Sequence, residues 1–296
     1  MAQRLTPATV LMLVPAALFF FLFALGPMVV AAGISFLDWN GVSEPTWVGL
    51  SNWVDTFSDS LTLRSVFLTV ALMILNWLIQ TPLSLLIGVY LAGHQGYRAV
   101  LGVFYFLPLL FSAVAVGITW QYILDPNLGA LNTALEAAGL DAFARTWLGD
   151  PNLALLVVVL VISWQFIPFH TLLYQAGVRQ IPPVLYEAAR IDGAGTFARF
   201  FYITLPQLKY TVVTSSILIF TGSLTYFDLI YIMTEGGPGY STRILPLHQY
   251  LTAFQELRFG PGSVIALVLA VFGITLSIVL LRLTGYGKME SQSEGL

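Results

Sequence analysis

The sequence predicts an all-α, polytopic membrane protein with about six transmembrane helices. Two observations predict it. The 296 residues are 57% hydrophobic and only 9% charged, with a mean hydropathy of +0.83. A soluble domain carries about 25% charged residues, so this little charge cannot cover a water-facing surface. Six stretches are also long and apolar enough to meet the requirement of about 20 residues for a bilayer span: 10–36, 63–91, 99–123, 152–176, 210–233 and 262–283. In hydrocarbon the backbone must satisfy its own hydrogen bonds, so these stretches are helices. The alternating pattern of a membrane barrel is missing.

The first stretch is longer than the apolar core of about 7–15 residues in a secretory signal and carries only Arg4 before it. It is read as an uncleaved first span. Pro27, Pro82, Pro108 and Pro168 fall inside or near the ends of spans, where membrane bundles tolerate a proline kink. Between the spans, 38–61 carries Trp39, Trp47 and Trp53, which fit an aromatic belt at the membrane interface. Residues 124–151 hold DPNLG and a short helical stretch near 131–138, and 234–261 hold TEGGPGYSTR. These loops could help form a surface for an outer partner. No internal repeat or long linker interrupts the chain, so 1–296 is read as a single transmembrane domain.

Charge orients it. With the N-terminus in the cytoplasm, Arg4, Arg98, Arg179, Arg190, Arg199, Lys209, Arg282 and Lys288 fall inside, against Arg64, Arg145, Arg243 and Arg258 outside. The basic excess favours both termini in the cytoplasm. Glu187, Asp192, Glu290 and Glu294 are the inner acidic residues. The net charge of −3 argues against a nucleic-acid partner. Cysteine is absent, which excludes thiol chemistry, and His94, His170 and His248 have no metal-ligand spacing.

Between the fourth and fifth spans lies a partly charged island, YEAARIDGAGTFARFFYITLP, at 186–206. Pro182-Pro183 suits the first turn of a helix, and 183–192 is rich in helix formers. Gly193 and Gly195 are natural stops. Thr196 can cap a second short helix, 197–203, which ends before Pro206. Two short helices at a glycine corner make a rigid cytoplasmic elbow. Ala188 and Ala189 permit close approach, with Glu187 and Arg190 at the rim. An ordinary amphipathic interfacial segment, with Phe197, Phe200 and Phe201 in the headgroups, is the competing reading.

EAARIDGAG followed by ITLP resembles the EAA motif of permease subunits in bacterial ABC importers, matching Glu187, Ala188, Ala189, Asp192, Gly193, Ala194, Gly195 and Leu205-Pro206. Residues 227–254, FDLIYIMTEGGPGYSTRILPLHQYLTAF, resemble one of the two unlike permeases in the carbohydrate branch of these importers, and WVGLSNWVDTF at 47–57 is a weaker match. The resemblance implies that 183–206 is a coupling helix seated in an ATPase, with Tyr186, Glu187, Ala188, Ala189, Arg190, Asp192, Gly193 and Gly195 as its contact residues. It implies alternating-access sugar import in the bacterial inner membrane. The implied partners are a second, non-identical permease, two ATPase subunits and an extracytoplasmic solute-binding protein. No G-x-x-x-x-G-K-[ST] loop occurs, so no cofactor is expected on this chain, and ATP with its Mg belongs to the ATPase. No H-E-x-x-H or G-x-S-x-G motif occurs either, which weakens hydrolase readings.

A polar cargo needs polar groups facing the bundle interior, where side-chain amides and hydroxyls can match sugar hydroxyls. Asn76, Gln80, Gln121, Trp164, Gln165, Thr225, Tyr226 and Asp228 are the candidate pathway residues. Trp164 or Tyr226 could stack on a sugar ring. Asp228, the one acidic residue inside a span, fits a hydrated position near the outer end or an acceptor for a substrate hydroxyl. Gln165, Asn76 and Gln80 could instead hold helices together, and His170 is expected to be a packing residue. Two further readings stay open: the same importer class carrying glycerol phosphate or another polyol derivative, and an ion-coupled secondary transporter using Asp228.

Overall fold

A computed structural model describes residues 7–93 and 95–283. Arg4, His94, Lys288, Glu290, Glu294 and both chain ends lie outside them. In chain order, α1 (Pro7–Phe20) passes through a π-turn (Phe21–Leu25) into α2 (Gly26–Ile34), and β1 (Leu37–Asp38) pairs with β2 (Thr46–Trp47). Then come α3 (Ser51–Ser58), α4 (Ser60–Leu91), α5 (Gly96–Leu110), α6 (Ala113–Ile123), α7 (Ala130–Ala137) and α8 (Ala154–Arg179). The island supplies α9 (Pro183–Ile191), α10 (Thr196–Arg199), a π-turn (Phe200–Thr204) and α11 (Leu205–Gln207). The chain continues with α12 (Lys209–Ser223), α13 (Asp228–Thr234), α14 (Leu245–Tyr250), a π-turn (Leu251–Gln255) and α15 (Phe259–Leu283).

Four helices are single candidate spans: Leu11–Ile34, Ser60–Leu91, Ala154–Arg179 and Phe259–Arg282. Two bent pairs bring the number to as many as six, as the hydropathy predicts. The expected third span, 99–123, is not one helix. It breaks at Phe111 and Ser112, both extended. Pro108 sits in the last turn of α5, and the Ser112 hydroxyl accepts from the Ala115 amide at 3.2 Å to start α6. The expected fifth span, 210–233, is interrupted too. Residues 196–207 and 209–223 form one pair bent by 67°, and 224–227 separate α12 from α13.

The chain forms two compact units. In the unit of residues 1–64 and 248–272, the β1–β2 register sets Leu37 against Trp47. Asn52 donates to the Ser35 and Leu37 carbonyls at 2.9 Å each. Trp47 stacks on Phe36, and the Trp53 indole N–H donates to the Ser35 hydroxyl at 3.2 Å. Two of the loop tryptophans thus also brace the hairpin against α2 and α3. A Cβ on Gly260 would collide with the Leu37 carbonyl, so only glycine lets α15 pass this close to the hairpin.

In the unit of residues 65–247 and 273–296, Gly88 brings α4 against α8. A Cβ there would sit 2.7 Å from Tyr174 Cβ and 3.0 Å from the Thr171 carbonyl. Leu85, Tyr174, Ile181 and Leu208 make a core beneath the island, with Tyr186, Phe200 and Ile203 packed on it. The TEGGPGYSTR loop exposes Glu235, Gly239 and Tyr240 and buries its last three residues. Residues 241–247 are buried, and the Thr234 and Thr242 hydroxyls meet at 2.7 Å.

Candidate functional site

The island folds as the elbow the sequence predicts. α9 ends on Gly193, whose φ of +77° is the left-handed conformation that glycine adopts without a side-chain penalty. The Gly193 amide donates to the Arg190 carbonyl at 3.1 Å and the Ala194 amide to the Ala189 carbonyl at 2.8 Å. This is a Schellman closure, and it fixes the corner angle. Thr196 does not cap the second helix as expected. It is the first helical residue, Gly195 stands at the cap position, and no side chain caps the turn. Nor does Pro206 end that helix, which runs on to Gln207. The π-turn explains why. Leu205 donates to the Phe200 carbonyl, five residues back, and the wider turn accommodates a ring that would clash in regular α-helix.

Glu187, Ala188, Arg190, Asp192, Gly193 and Gly195 are all exposed, and Ala189 is half-buried. Among the described residues none of the elbow's charged groups forms an ion pair. Ile191 and Phe197 are 87% and 83% exposed. Burying a side chain of that size contributes about 1.5–3 kcal/mol, so the elbow holds unused contact energy on its outer face. Tyr186 departs from the rest of the predicted contact set. It is half-buried, and its hydroxyl meets the Thr204 hydroxyl at 2.9 Å. It clamps α9 to the π-turn from within.

The predicted pathway residues divide into three groups. Asn76 and Gln80 are fully buried. The Gln80 amide donates to Asn76 Oδ1 at 3.2 Å, Asn76 Nδ2 to the Ser223 hydroxyl at 3.3 Å, and that hydroxyl to the Ile219 carbonyl at 2.8 Å. This seam ties α4 to α12. Gln80 Oε1 is left without a partner. Tyr226 lies beside the Gln80 amide and stacks on Phe166, with ring centroids 5.3 Å apart.

Gln121 and Gln165 satisfy freed carbonyls at helix ends. Gln121 Nε2 donates to the Ile232 carbonyl at 2.7 Å, near the end of α13. Gln165 Nε2 donates to the Phe111 carbonyl at 3.1 Å, at the break between α5 and α6. Gln175, which the sequence did not single out, serves the Leu91 carbonyl at the end of α4 at 2.9 Å. Helix ends leave such carbonyls orphaned, and a nearby amide is the signal that could have found this role.

The last group is open. Trp164 is 42% exposed and meets Trp120 edge-on, centroids 5.6 Å apart. Thr225 is exposed, its hydroxyl bonded to the Gly222 carbonyl. Asp228 is not inside a span as expected. It is exposed in the first turn of α13, after the break, where a carboxylate complements the helix N-terminus. His170, as expected, is a packing residue: it is buried, with Nδ1 3.0 Å from the Ser215 hydroxyl. Three arginines read only as topology markers, Arg98, Arg179 and Arg199, meet at the foot of the elbow. Their convergence was hidden because they stand on three separate helices.

Comparison with known proteins agrees with this architecture. Residues 5–285 match the family model of the binding-protein-dependent transport system inner membrane component. The chain is similar to a probable ABC transporter permease protein, YurN, of Bacillus subtilis, at 34% identity over 95% of this chain and 97% of that one. It is similar to the diacetylchitobiose uptake system permease NgcF of Streptomyces coelicolor, at 34% identity over 94% and 83% of the two chains. Its fold is similar to a chain of a bacterial alginate ABC transporter crystallised with an alginate pentasaccharide-bound periplasmic protein, with a TM-score of 0.82, 22% identity and 93% of each chain covered.

Proposed function

We propose a sugar-import role from one premise: this chain belongs to the family of binding-protein-dependent transport system inner membrane components. It is a permease subunit, and in this family the ATPase is a separate subunit. The chain acts as one permease domain over 1–296, moving a carbohydrate by alternating access. The observation that carries the reading is the elbow, whose charged EAA-type residues Glu187, Arg190 and Asp192 are exposed and, among the described residues, without ion-pair partners. A closing ATPase dimer presses on residues 183–206, the spans rock, and the cavity opens outward to a loaded solute-binding protein. Hydrolysis resets it inward. ATP and Mg stay on the ATPase.

Both termini and the elbow are cytoplasmic, and the second permease is non-identical. The sugar is supported by the resemblance of residues 227–254 and by the diacetylchitobiose relative. Trp164 is the best-placed aromatic face, since it is exposed on α8. Asn76, Gln80, Gln121 and Gln165 shape the pathway by fixing the helices around it.

Uptake assayed in vesicles with ion gradients collapsed tests this. Transport that needs ATP and the loaded binding protein is expected; gradient-driven, ATP-independent uptake would reject it. Impermeant labelling of a cysteine placed at residue 192 in intact cells should fail and should succeed in inverted vesicles. Labelling from outside would overturn the orientation.

A further inference from the structure

A groove of about 810 Å³ opens at the foot of the elbow. Four parts of the chain wall it: the end of α4, the start of α5, the end of α8, and the helices of the elbow. Arg98, Arg179, Arg190 and Arg199 line it, against a single carboxylate, Glu187. Four positive groups against one negative leave a local excess of three. Among the described residues none of these arginines forms an ion pair. Arg199 Nε is buried without a hydrogen-bond partner, although the same guanidinium reaches the Thr196 hydroxyl at 3.3 Å. Arg98 donates to the Tyr90 carbonyl, which holds it at the end of α4.

Apart from the hydroxyls of Tyr186, Thr196 and Thr204, the rest of the lining is apolar. Leu86 and Phe201 are each 56% exposed, and Val89 and Phe200 lie deeper. Leu86 belongs to a candidate span, so its open face suits hydrocarbon. A ligand for this groove needs a charged acceptor with several oxygens at one end and hydrocarbon at the other. Guanidinium forks match phosphate oxygens in paired hydrogen bonds, and basic pockets between spans at the cytoplasmic face suit anionic headgroups. A free anion would leave the Leu86 and Phe201 walls uncovered. The volume lies within the range of about 300–1,000 Å³ typical of small-molecule sites, enough for a headgroup and the start of an acyl chain.

We propose that this groove binds one anionic phospholipid, its phosphate on the arginines and an acyl chain along Leu86. The lipid would fasten the elbow to the bilayer. The site stands on its own lining and does not require that the elbow engage an ATPase.

The test uses the full-length chain, purified with the subunits that accompany it in neutral detergent. Native mass spectrometry compares retention of dioleoyl phosphatidylglycerol with dioleoyl phosphatidylcholine. At least tenfold preference for the anionic lipid is expected, falling to within twofold in Arg98→Gln/Arg199→Gln and unchanged in Arg145→Gln, an exposed residue away from the groove. Equal retention of the two lipids, or a preference unchanged in the double variant, overturns the proposal. Glycerol 3-phosphate should not displace the lipid; displacement at matching concentration would make this a small-anion site and overturn it too. Should the double variant not give monodisperse protein, a photoactivatable phosphatidylglycerol on the wild-type chain decides the matter. Labelled peptides within 86–98 and 178–204 support the site, and labelling confined elsewhere rejects it.

Discussion

The elbow at 183–207 and the seam formed by Asn76, Gln80 and Ser223 use polar residues in opposite ways. The seam is sealed. Its members are fully buried, and their amides and hydroxyls are spent mostly on one another. The elbow is open. Glu187, Arg190 and Asp192 are exposed, and two large apolar side chains stand almost free beside them. Polar groups that answer each other hold helices in register, whereas polar groups left unanswered at a rigid corner stay open to water or to another molecule. Position in the fold, not residue type, separates these roles.

The sharpest challenge to this contrast lies beneath the seam. Gly88→Val should destabilise the protein by about 3 kcal/mol, because its new side chain meets Tyr174 and the α8 backbone. Thermal unfolding of the purified protein would report it, and an unchanged midpoint would mean that the α4–α8 contact is looser than described. Next, Asn76→Ala should cost about 2 kcal/mol, since it strands the buried amide of Gln80 and frees the Ser223 hydroxyl. Uptake should fall only in proportion to protein amount. A loss of transport at full abundance would turn the seam from a brace into part of the pathway.

At the elbow the pattern should invert. Glu187→Lys is expected to leave membrane abundance and thermal stability unchanged while lowering ATP-driven uptake at least tenfold, about 1.4 kcal/mol. Wild-type uptake would remove the coupling assignment. Smallest of all, Tyr186→Phe should cost about 1 kcal/mol of stability through loss of the bond to Thr204, with ATPase affinity unaffected. A fall in that affinity would place the tyrosine at the interface after all.

Much of this was legible in the residues. The number of spans followed from hydropathy, and the corner at Gly193 from a glycine after a run of helix formers. The breaks were less visible. Phe111-Ser112 reads as apolar sequence, and what permits a gap there is an amide 54 residues away, Gln165, that answers the Phe111 carbonyl. Pro206 looked like a stop because a regular α-helix cannot hold it, but a π-turn can, and nothing in FFYIT announces one. Asp228 looked membrane-embedded because the apolar run around it is continuous in sequence, although the helix is not. The elbow was readable because its signals are local; the seam's partners and the arginine groove lie at long range.

The corner at Leu208 gives the elbow a mechanical character. Residues 196–207 extend about 18 Å at 1.5 Å per residue and meet α12 at 67° over Leu208, which is locked in the core with Leu85, Tyr174 and Ile181. Such a bell-crank converts a sideways push at its tip into a turn of the span beyond its pivot. A push of about 3 Å at that radius swings the arm by about 10°. Spin labels at residues 197 and 218 should therefore record tilt with little change in separation, whereas a large change in separation would mean that the arm bends at its pivot.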